Sequence, residues 1–316
     1  MEKTLTVGFW GGPIGDAMKK AFVQTFEAKT GVKVNVIQEL DNARFTKLRA
    51  QKDAPPIDVA FFTDPVMPAV YAADVAAPYD PAAIPNAKDL YGFLSDPQHR
   101  QITFAFGTWG LAYNAKKVGR DINSWRDLLD DKFKNHVSHP DITYNSSVLS
   151  LVALAKLDGG DLKNLDPGFT NIKRVRRNAT SFWSSPTQLL EGLKQGEIWL
   201  SPYASGGTLA LTKEDPDIAF VNPKEGAYLV AFHMVKVKNA KSPVAADAFM
   251  NNVLDPGNQK VFAAAQFYTP GNQKTVLEEP YKSLLAPDPN KIVEIDWNYF
   301  EGKKQEVTDR WLREVR

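Results

Sequence analysis

The chain has 316 residues, 43% of them hydrophobic and 11% aromatic, a composition that argues against intrinsic disorder. Its 38 Lys and Arg residues nearly balance 37 Asp and Glu residues, so it lacks the basic excess of nucleic-acid and anionic-membrane binders. It has no cysteine, which excludes disulfides, iron–sulfur clusters and thiolate chemistry. At about 150 residues per domain, the length predicts two domains or one large one.

The N-terminal segment predicts a β-α-β unit. Apolar residues alternate at Leu5, Val7 and Phe9, as in a strand, and the sequence Trp-Gly-Gly-Pro at 10–13 breaks it. A helix follows and ends at Gly31. The chain then continues with a strand, a helix and a strand, at residues 32–36, 42–52 and 57–62. This order predicts a parallel sheet covered by helices, in which ligands bind beyond the carboxyl ends of the strands.

The middle of the chain begins with a loop and then resumes the α/β alternation. Residues 77–100, rich in Pro and Asp, predict surface loop with short helical turns, and residues 102–114 predict two strands joined by a turn at 107–110. Ser124 is expected to cap a helix. The further predicted elements are helices at 125–129, 146–157, 168–177 and 187–194, strands beginning at Val137 and covering 180–183, 197–203, 220–221 and 228–237, and mostly helix from Val244.

Two α/β units joined by strand-like segments near Gly110 and Tyr228 predict two lobes and a hinge. A small ligand is expected in a cleft between such lobes. The expected division is residues 1–109 with 237–290 for the first lobe, residues 110–236 for the second, and residues 291–316 as a C-terminal helical segment that packs on the lobes.

No motif indicates catalysis, a metal or a cofactor, and none of the three is expected. The glycines near residue 12 match neither the dinucleotide fingerprint nor the Walker motif, and Gly-x-Ser-x-Gly does not occur. His136 and His139 would point to opposite faces of a strand, as surface or core residues. For His233, a core position and a position facing the cleft both remain open.

Aromatic residues at strand ends are the better signal of a site. Either they pack in the cores or they line a cleft, in which case a neighbouring carboxylate, Asp64, suits an amine through cation–π contacts and a charged hydrogen bond. Asp64 could instead cap the helix that begins at Pro65. The predicted ligand-binding residues are Trp10, Gly11, Gly12, Phe62, Thr63, Asp64, Thr108, Trp109, Tyr144, Asn145, Ser146, Tyr203 and Phe232.

Several ordered motifs give the chain a family resemblance. They are Trp-Gly-Gly at 10–12, Phe-Glu-Ala-Lys-Thr-Gly-Val at 26–32, Gly-Thr-Trp-Gly-Leu-Ala-Tyr-Asn at 107–114, Ser-Trp-Arg-Asp-Leu at 124–128, Gly-Glu-Ile-Trp at 196–199 and Tyr-Thr-Pro-Gly-Asn at 268–272. The chain thereby resembles the substrate-binding proteins of bacterial ABC importers, in the spermidine/putrescine-binding branch.

The resemblance implies a two-lobe α/β fold of the type II periplasmic binding proteins, with a sheet flanked by helices in each lobe. It also implies a membrane permease as partner, a monomer, and a periplasmic location, although no leader peptide precedes the first strand here. The competing hypotheses are a two-lobe hydrolase or transferase, which needs an activated nucleophile, a metal or an acid/base pair, and a ligand-sensing domain.

The expected class of solute follows from acidic residues that polyamine binders of the family have and this chain does not. Polyamine binders of the family carry acidic residues against the amines, but residues 228–232 contain none here. Asp141 matches one acidic position, whereas Tyr144 stands at the next. This favours one amine in a zwitterion, such as 4-aminobutyrate or an aminophosphonate, with a polyamine-like solute as alternative. Ser146 and Ser147, at a helix start, could receive the anionic end.

Overall fold

The computed structural model describes residues 1–285 and 292–316. Contacts within the chain divide it into two compact units: unit 1 comprises residues 1–106 and 231–287, and unit 2 comprises residues 107–230 and 288–316. The lobe boundaries expected from the sequence stay a prediction. Among the described residues, no helix has the length and apolar character needed to cross a membrane.

Strands and helices occur in both units. The strands are β1 Thr4–Phe9, β2 Lys33–Gln38, β3 Val59–Thr63, β4 Ala76–Ala77, β5 Ile102–Asn114, β6 Val137–Pro140, β7 Ala179–Trp183, β8 Leu200–Ala204, β9 Ile218–Val221, β10 Ala227–Val237, β11 Thr269–Pro270 and β12 Ile292–Val293. The helices are α1 Gly12–Met18, α2 Gln24–Thr30, α3 Asp41–Ala50, α4 Met67–Ala72, α5 Ala115–Val118, α6 Ser147–Lys156, α7 Asp166–Asn178, α8 Pro186–Gln195, α9 Ser205–Glu214, α10 Pro243–Val253, α11 Pro256–Gln266, α12 Tyr281–Leu284 and α13 Trp297–Glu314. A π-helical segment, Lys19–Val23, joins α1 to α2.

Unit 1 contains the predicted β-α-β arrangement. Strand β1 pairs in parallel with β2 and with β3, which confirms the predicted parallel strands. The part of β10 that lies in unit 1 pairs antiparallel with β3, so the sheet is mixed. Alternating apolar residues bury Leu5, Val7 and Phe9 completely, because one set of β1 side chains faces the covering helices. The first helix pair ends at Gly31, as predicted.

The strands of unit 2 also pair in both directions. Strand β6 pairs in parallel with β7 and with β8, whereas β5 pairs antiparallel with β8 and with β9. Ser124 caps a 3-10 helix, Trp125–Leu129, with its hydroxyl accepting from the Arg126 amide, so the predicted cap is confirmed. Helix α13 belongs to this unit: Arg310 pairs with Asp166 at the start of α7, and Trp311 is fully buried.

Two expectations are wrong. The predicted turn at residues 107–110 does not exist, because β5 runs without interruption through it. Gly110 instead allows a close strand contact: a Cβ there would lie 2.5 Å from the Val221 carbonyl oxygen. Helix α9 is missing from the predicted elements, since its sequence opens with Ser-Gly-Gly, residues of low helix propensity.

Candidate functional site

Three parallel strands of unit 1 end on one side of its sheet. The unit 1 edge is defined here as the residues that follow β1, β2 and β3, at positions 10–12, 39–41 and 63–64, together with Phe232, which pairs with Thr63 across β10 and β3. Carboxyl ends of parallel strands are where α/β proteins bind ligands. The unit 1 edge contains six of the predicted ligand-binding residues: Trp10, Gly11, Gly12, Thr63, Asp64 and Phe232.

A buried carboxylate, Asp41, holds the unit 1 edge together. Its Oδ1 accepts from the Trp10 indole Nε1 at 2.7 Å and from Arg44 Nη2 at 2.9 Å, and its Oδ2 accepts from the Thr63 hydroxyl at 2.5 Å. The Arg44 guanidinium lies 5.4 Å from the Trp10 ring centroid. Burial raises the pKa of Asp41, opposed by Arg44 and Thr63. Asp41 thus fixes the orientation of Trp10 and Thr63.

Asp64 does not cap a helix. It is the first residue of a 3-10 helix, Asp64–Val66, and its carboxylate turns toward β10. Its Oδ2 accepts from the Ala231 amide at 2.6 Å, and its Oδ1 lies 2.9 Å from His233 Nε2. His233 Nδ1 lies 3.0 Å from the Thr103 hydroxyl, so this histidine is a buried link between strands. The capping alternative fails because partners 167 and 169 residues away take the carboxylate.

The carboxylates of the unit 1 edge differ in their countercharges. Glu39 pairs with Lys47 and Asp41 with Arg44. Over residues 1–285 and 292–316, no Lys or Arg is paired with Asp64, whose side chain is 12% exposed. Its imidazole partner compensates the charge only when protonated. Asp64 is consequently the carboxylate of this edge that is left, within the described residues, without a permanently charged partner.

Aromatic rings flank the unit 1 edge. Phe232 packs edge-to-face on Trp10 at 5.5 Å and contacts Tyr268 at 4.5 Å between ring centroids. Tyr268 is not among the predicted residues, because only tertiary packing brings it beside β10. Phe62 is fully buried in a cluster with Ile57 and Val70, so the core-packing alternative holds for its ring. Gly11 and Gly12 are exposed at the start of α1.

The unit 2 edge is defined as the residues that follow β6, β7 and β8, at positions 140–147, 183–187 and 203–208. Each of these segments leads into a helix of at least ten residues: α6, α8 or α9. Within the part of the chain that the structure describes, the three N-cap residues Ser146, Ser185 and Ala204 accept no side-chain capping hydrogen bond. Amide groups in the first turns of these helices are therefore suited to an anion.

Four aromatic rings form a cluster under the unit 2 edge. Tyr144 contacts Trp183 at 4.7 Å and stacks on Trp109 at 6.0 Å, and Tyr203 contacts both tryptophans at 5.7 and 6.1 Å. Trp109 is 0% exposed, and its indole donates to the Ser150 hydroxyl at 2.8 Å. For Trp109, too, the core-packing alternative holds. Tyr144 is the half-buried member of the cluster.

Two features of this cluster were not predicted from the sequence. Trp183 ends a predicted strand but was not expected at the site, and its indole donates to the Ser201 hydroxyl at 3.0 Å. Gly207 lies against the Tyr203 ring, where an added Cβ would approach Cε1 to 2.6 Å. An aromatic residue at the end of a strand, as in the predicted set, is the signal that could have identified Trp183.

The other predicted residues of unit 2 lie near these segments. The Thr108 amide donates to the Ser205 hydroxyl at 3.1 Å, and the Thr108 hydroxyl donates to Asn222 Oδ1 at 2.7 Å. Asn145 and Ser146 are half-buried in the segment before α6. The structure thus brings Thr108 to the start of α9, and Asn145 and Ser146 to the start of α6.

Asp141 opens the first segment of the unit 2 edge. Its carboxylate is 3% exposed and binds the Arg316 guanidinium through two contacts, Nη2 to Oδ1 at 2.8 Å and Nε to Oδ2 at 3.0 Å. The Thr143 hydroxyl donates to Oδ1 at 2.8 Å. Burial raises the pKa of Asp141, but the Thr143 and Arg316 hydrogen bonds outweigh it and hold the pKa below its usual value. Asp141 is a satisfied, neutralised carboxylate.

The histidines of unit 2 are structural. His136 stacks on Trp199 with ring centroids 3.8 Å apart. His139 is fully buried beside Phe182 and Trp311, and burial lowers its pKa to about 4. In residues 1–285 and 292–316, no group of three His, Cys, Asp or Glu side chains could hold a metal ion.

The fold and the two edges are those of a protein that binds a small solute, and comparison with known proteins identifies its family. Residues 54–303 match the model of the bacterial extracellular solute-binding proteins, and the chain belongs to that family. The resemblance seen in the sequence is thereby confirmed, and the chain is a solute-binding protein and not an enzyme.

Individual relatives are distant in sequence. A periplasmic protein of Salmonella typhimurium named for binding 2-aminoethylphosphonate is 24% identical over 83% of this chain and 76% of its own. A putrescine/agmatine-binding protein of Pseudomonas aeruginosa is 24% identical over 74% of this chain and 70% of its own. The crystal structure of an ABC transporter substrate-binding protein of Bradyrhizobium japonicum has 22% identity and a TM-score of 0.84 over 100% of both chains. This likeness confirms the predicted two-lobe α/β fold.

Proposed function

We propose that this chain captures a small zwitterion with one amine and one anionic group, such as 4-aminobutyrate or 2-aminoethylphosphonate, for import. The observation that carries the proposal is that one edge presents groups that attract a cation and the other presents groups that attract an anion. The unit 1 edge offers the Asp64 carboxylate, and the unit 2 edge offers three helix N-termini to which no described residue adds a side-chain cap. Both edges contribute to solute binding in this proposal.

The amine is assigned to the unit 1 edge. Asp64 already accepts from the Ala231 amide and lies against His233, yet each carboxylate oxygen has a second lone pair for an ammonium. The negatively charged faces of Trp10, Phe232 and Tyr268 favour a cation beside it. Thr63 and the turn at Gly11 and Gly12 complete the proposed contacts.

The anionic group is assigned to the unit 2 edge. Amides at the starts of α6, α8 and α9 carry the positive ends of their helix dipoles, and each such interaction is worth about 0.3–1 kcal/mol when exposed. Ser146 adds a hydroxyl donor, and Tyr144 and Tyr203 add ring surface for the methylene chain. Thr108 and Asn145 are proposed as neighbours.

The biological setting follows from the family and the relatives. The chain acts in this proposal as a periplasmic monomer that delivers its solute to the permease of an ABC importer. The names of the relatives, which mention 2-aminoethylphosphonate, putrescine and agmatine, support an amine in the solute. The relatives differ in whether that solute also carries an anion, and the charge pattern of the edges supports the zwitterion.

A thermal-shift screen across zwitterions, diamines, amino acids, aminophosphonates and opines tests the proposal. A solute present at 100 times its Kd stabilises the folded chain by about 2.7 kcal/mol, which raises the melting temperature measurably. We expect ω-amino acids or aminophosphonates to give the largest shifts. Larger shifts with putrescine and spermidine than with every zwitterion would contradict the assignment of an anion to the unit 2 edge.

A further inference from the structure

We propose that Arg316 determines which solute charge the unit 2 edge accepts, by neutralising Asp141. This inference deepens the proposed function and rests on it. The contact is a bidentate ion pair with both carboxylate oxygens, at 2.8 and 3.0 Å. Arg316 is contributed by the chain beyond α13, far in sequence from the edge it serves.

Asp141 determines the net charge of the unit 2 edge because the edge contains no other charged residue. Across its three segments, residues 140–147, 183–187 and 203–208, Asp141 is the only Asp, Glu, Lys, Arg or His. The remaining residues there are neutral, chiefly Ser, Thr and aromatic residues. One uncompensated carboxylate would therefore give the whole edge a net charge of −1, whereas a paired one leaves it neutral.

Asp141 also lies close to the proposed solute contacts. Its carbonyl oxygen accepts from the Tyr144 amide at 2.9 Å, and its amide donates to the Trp183 carbonyl at 2.8 Å. The Ser147 amide in turn donates to the Tyr144 carbonyl at 2.9 Å, at the start of α6. The Asp141 backbone thus lies one short turn from the helix start to which the anionic group is assigned.

The ion pair can be removed without opening the core. The Arg316 side chain is 53% exposed, so water molecules can occupy the place of its guanidinium group when that group is removed. Thr143 still donates to Asp141 after such a change. An Asp141 carboxylate freed in this way would repel the anion of a zwitterion and attract a second ammonium.

Calorimetric titration of Arg316→Gln with 2-aminoethylphosphonate, 4-aminobutyrate and putrescine tests the inference. We expect zwitterion affinity to fall about tenfold and putrescine affinity to rise about tenfold relative to the wild type. The double variant Arg316→Gln/Asp141→Asn should restore the wild-type order, because both charges are then gone. Denaturant unfolding of each variant reports whether the fold persists.

Arg310→Gln is the matched control. Arg310 lies on α13 and pairs with Asp166 and Glu314, outside all three segments of the unit 2 edge, so it should leave the affinity ratio unchanged. An equal loss of affinity for all three probes in Arg316→Gln would mean that Arg316 only anchors the loop, and would overturn the inference. An unchanged affinity ratio would overturn it as well.

The failure of the proposed function would look different. In that case the wild type binds putrescine more tightly than either zwitterion, or binds none of the three probes, and the inference is then judged on putrescine alone. Arg316→Gln must gain putrescine affinity that the double variant loses. If the single variant gains none, Arg316 does not control the charge of the unit 2 edge.

Discussion

The unit 1 edge and the unit 2 edge have the same topology but opposite chemistry. Both follow the carboxyl ends of three parallel strands. In unit 1 the turns carry three carboxylates, of which two are paired with Lys or Arg and Asp64 is not, over the described part of the chain. In unit 2 the turns carry serines, uncapped helix starts and one neutralised carboxylate. The same strand-end geometry can thus serve a cation or an anion, depending on which side chains occupy the turns.

The largest expected effect concerns the aromatic cluster of unit 2. Trp109→Ala removes a fully buried indole that contacts three rings and donates to Ser150, so we expect the free energy of unfolding to fall by about 3–5 kcal/mol. Denaturant unfolding measures this loss. Trp199→Ala, which removes a half-buried ring stacked on His136, is the control and should cost less. A stable Trp109→Ala protein with lost solute affinity would instead make Trp109 a contact of the solute.

The charge of the unit 1 edge is tested by Asp64→Asn. The variant keeps the shape but loses the uncompensated charge, so affinity for an amine should fall by about 2–5 kcal/mol in calorimetry. Its stability should fall by about 1 kcal/mol, because the Ala231 and His233 contacts weaken.

Asp58→Asn is the control for that comparison. Asp58 is a buried carboxylate at the opposite end of β3, and it accepts from the amides of Thr6 and Ser242 at 2.8 and 3.0 Å. We expect it to lower stability and leave affinity unchanged. Wild-type affinity in Asp64→Asn would remove the carboxylate from the proposed site.

The pH dependence of the free energy of unfolding tests the structural role of His139, which lies in unit 2 outside its edge. Burial lowers the pKa of His139 to about 4 from its usual value of 6.5, so the unfolded chain binds the proton first as the pH falls. Stability from this residue is complete above about pH 6.5 and is lost between pH 6.5 and 4, by about 3 kcal/mol in total.

His139→Phe should remove that part of the pH dependence. The neighbours Phe182 and Trp311 are aromatic, and Nε2 of His139 has no hydrogen-bond partner within residues 1–285 and 292–316. Unfolding of both proteins at pH 7 and pH 4 gives the difference. An identical pH dependence in the wild type and the variant would mean that folding does not lower the pKa of His139.

The smallest expected effect concerns the anion contacts of the unit 2 edge. Ser146→Ala should weaken binding of an anionic solute by about 1 kcal/mol without lowering stability, because the Ser146 side chain makes no capping hydrogen bond. Ser124→Ala is the reverse control: it removes a capping hydroxyl, costs about 1 kcal/mol of stability and leaves affinity unchanged. Calorimetry and unfolding of both variants check the pair, and a loss of stability without a loss of affinity in Ser146→Ala would count against the solute contact.

Local pattern was enough to predict much of the fold. Alternation of apolar residues identified β1 and β2, and the Ser124 cap followed from residue type. The continuity of β5 did not follow, because a glycine that admits a neighbouring strand looks the same in sequence as a glycine in a turn. Helix α9 was hidden for a similar reason, since its tertiary contacts override a poor helix start.

The site residues were harder to predict than the elements. Strand ends could be located, so Trp10, Asp64 and Tyr144 were predicted as site residues, but the partners of their side chains come from distant parts of the chain. Asp64 is bound by β10, and Asp141 by Arg316, 175 residues away. Burial of Trp109 likewise depends on rings brought together by three different strands and a loop.

Calorimetric titration of the wild type with 4-aminobutyrate, butylamine, butyrate and putrescine tests the central claim most directly. On similar carbon chains, butylamine lacks the carboxylate of 4-aminobutyrate, butyrate lacks its ammonium, and putrescine carries a second ammonium in place of the carboxylate. If the unit 1 edge binds an ammonium and the unit 2 edge an anion, 4-aminobutyrate should bind at least about 100-fold more tightly than each of the other three. Equal or tighter binding of putrescine would contradict the account.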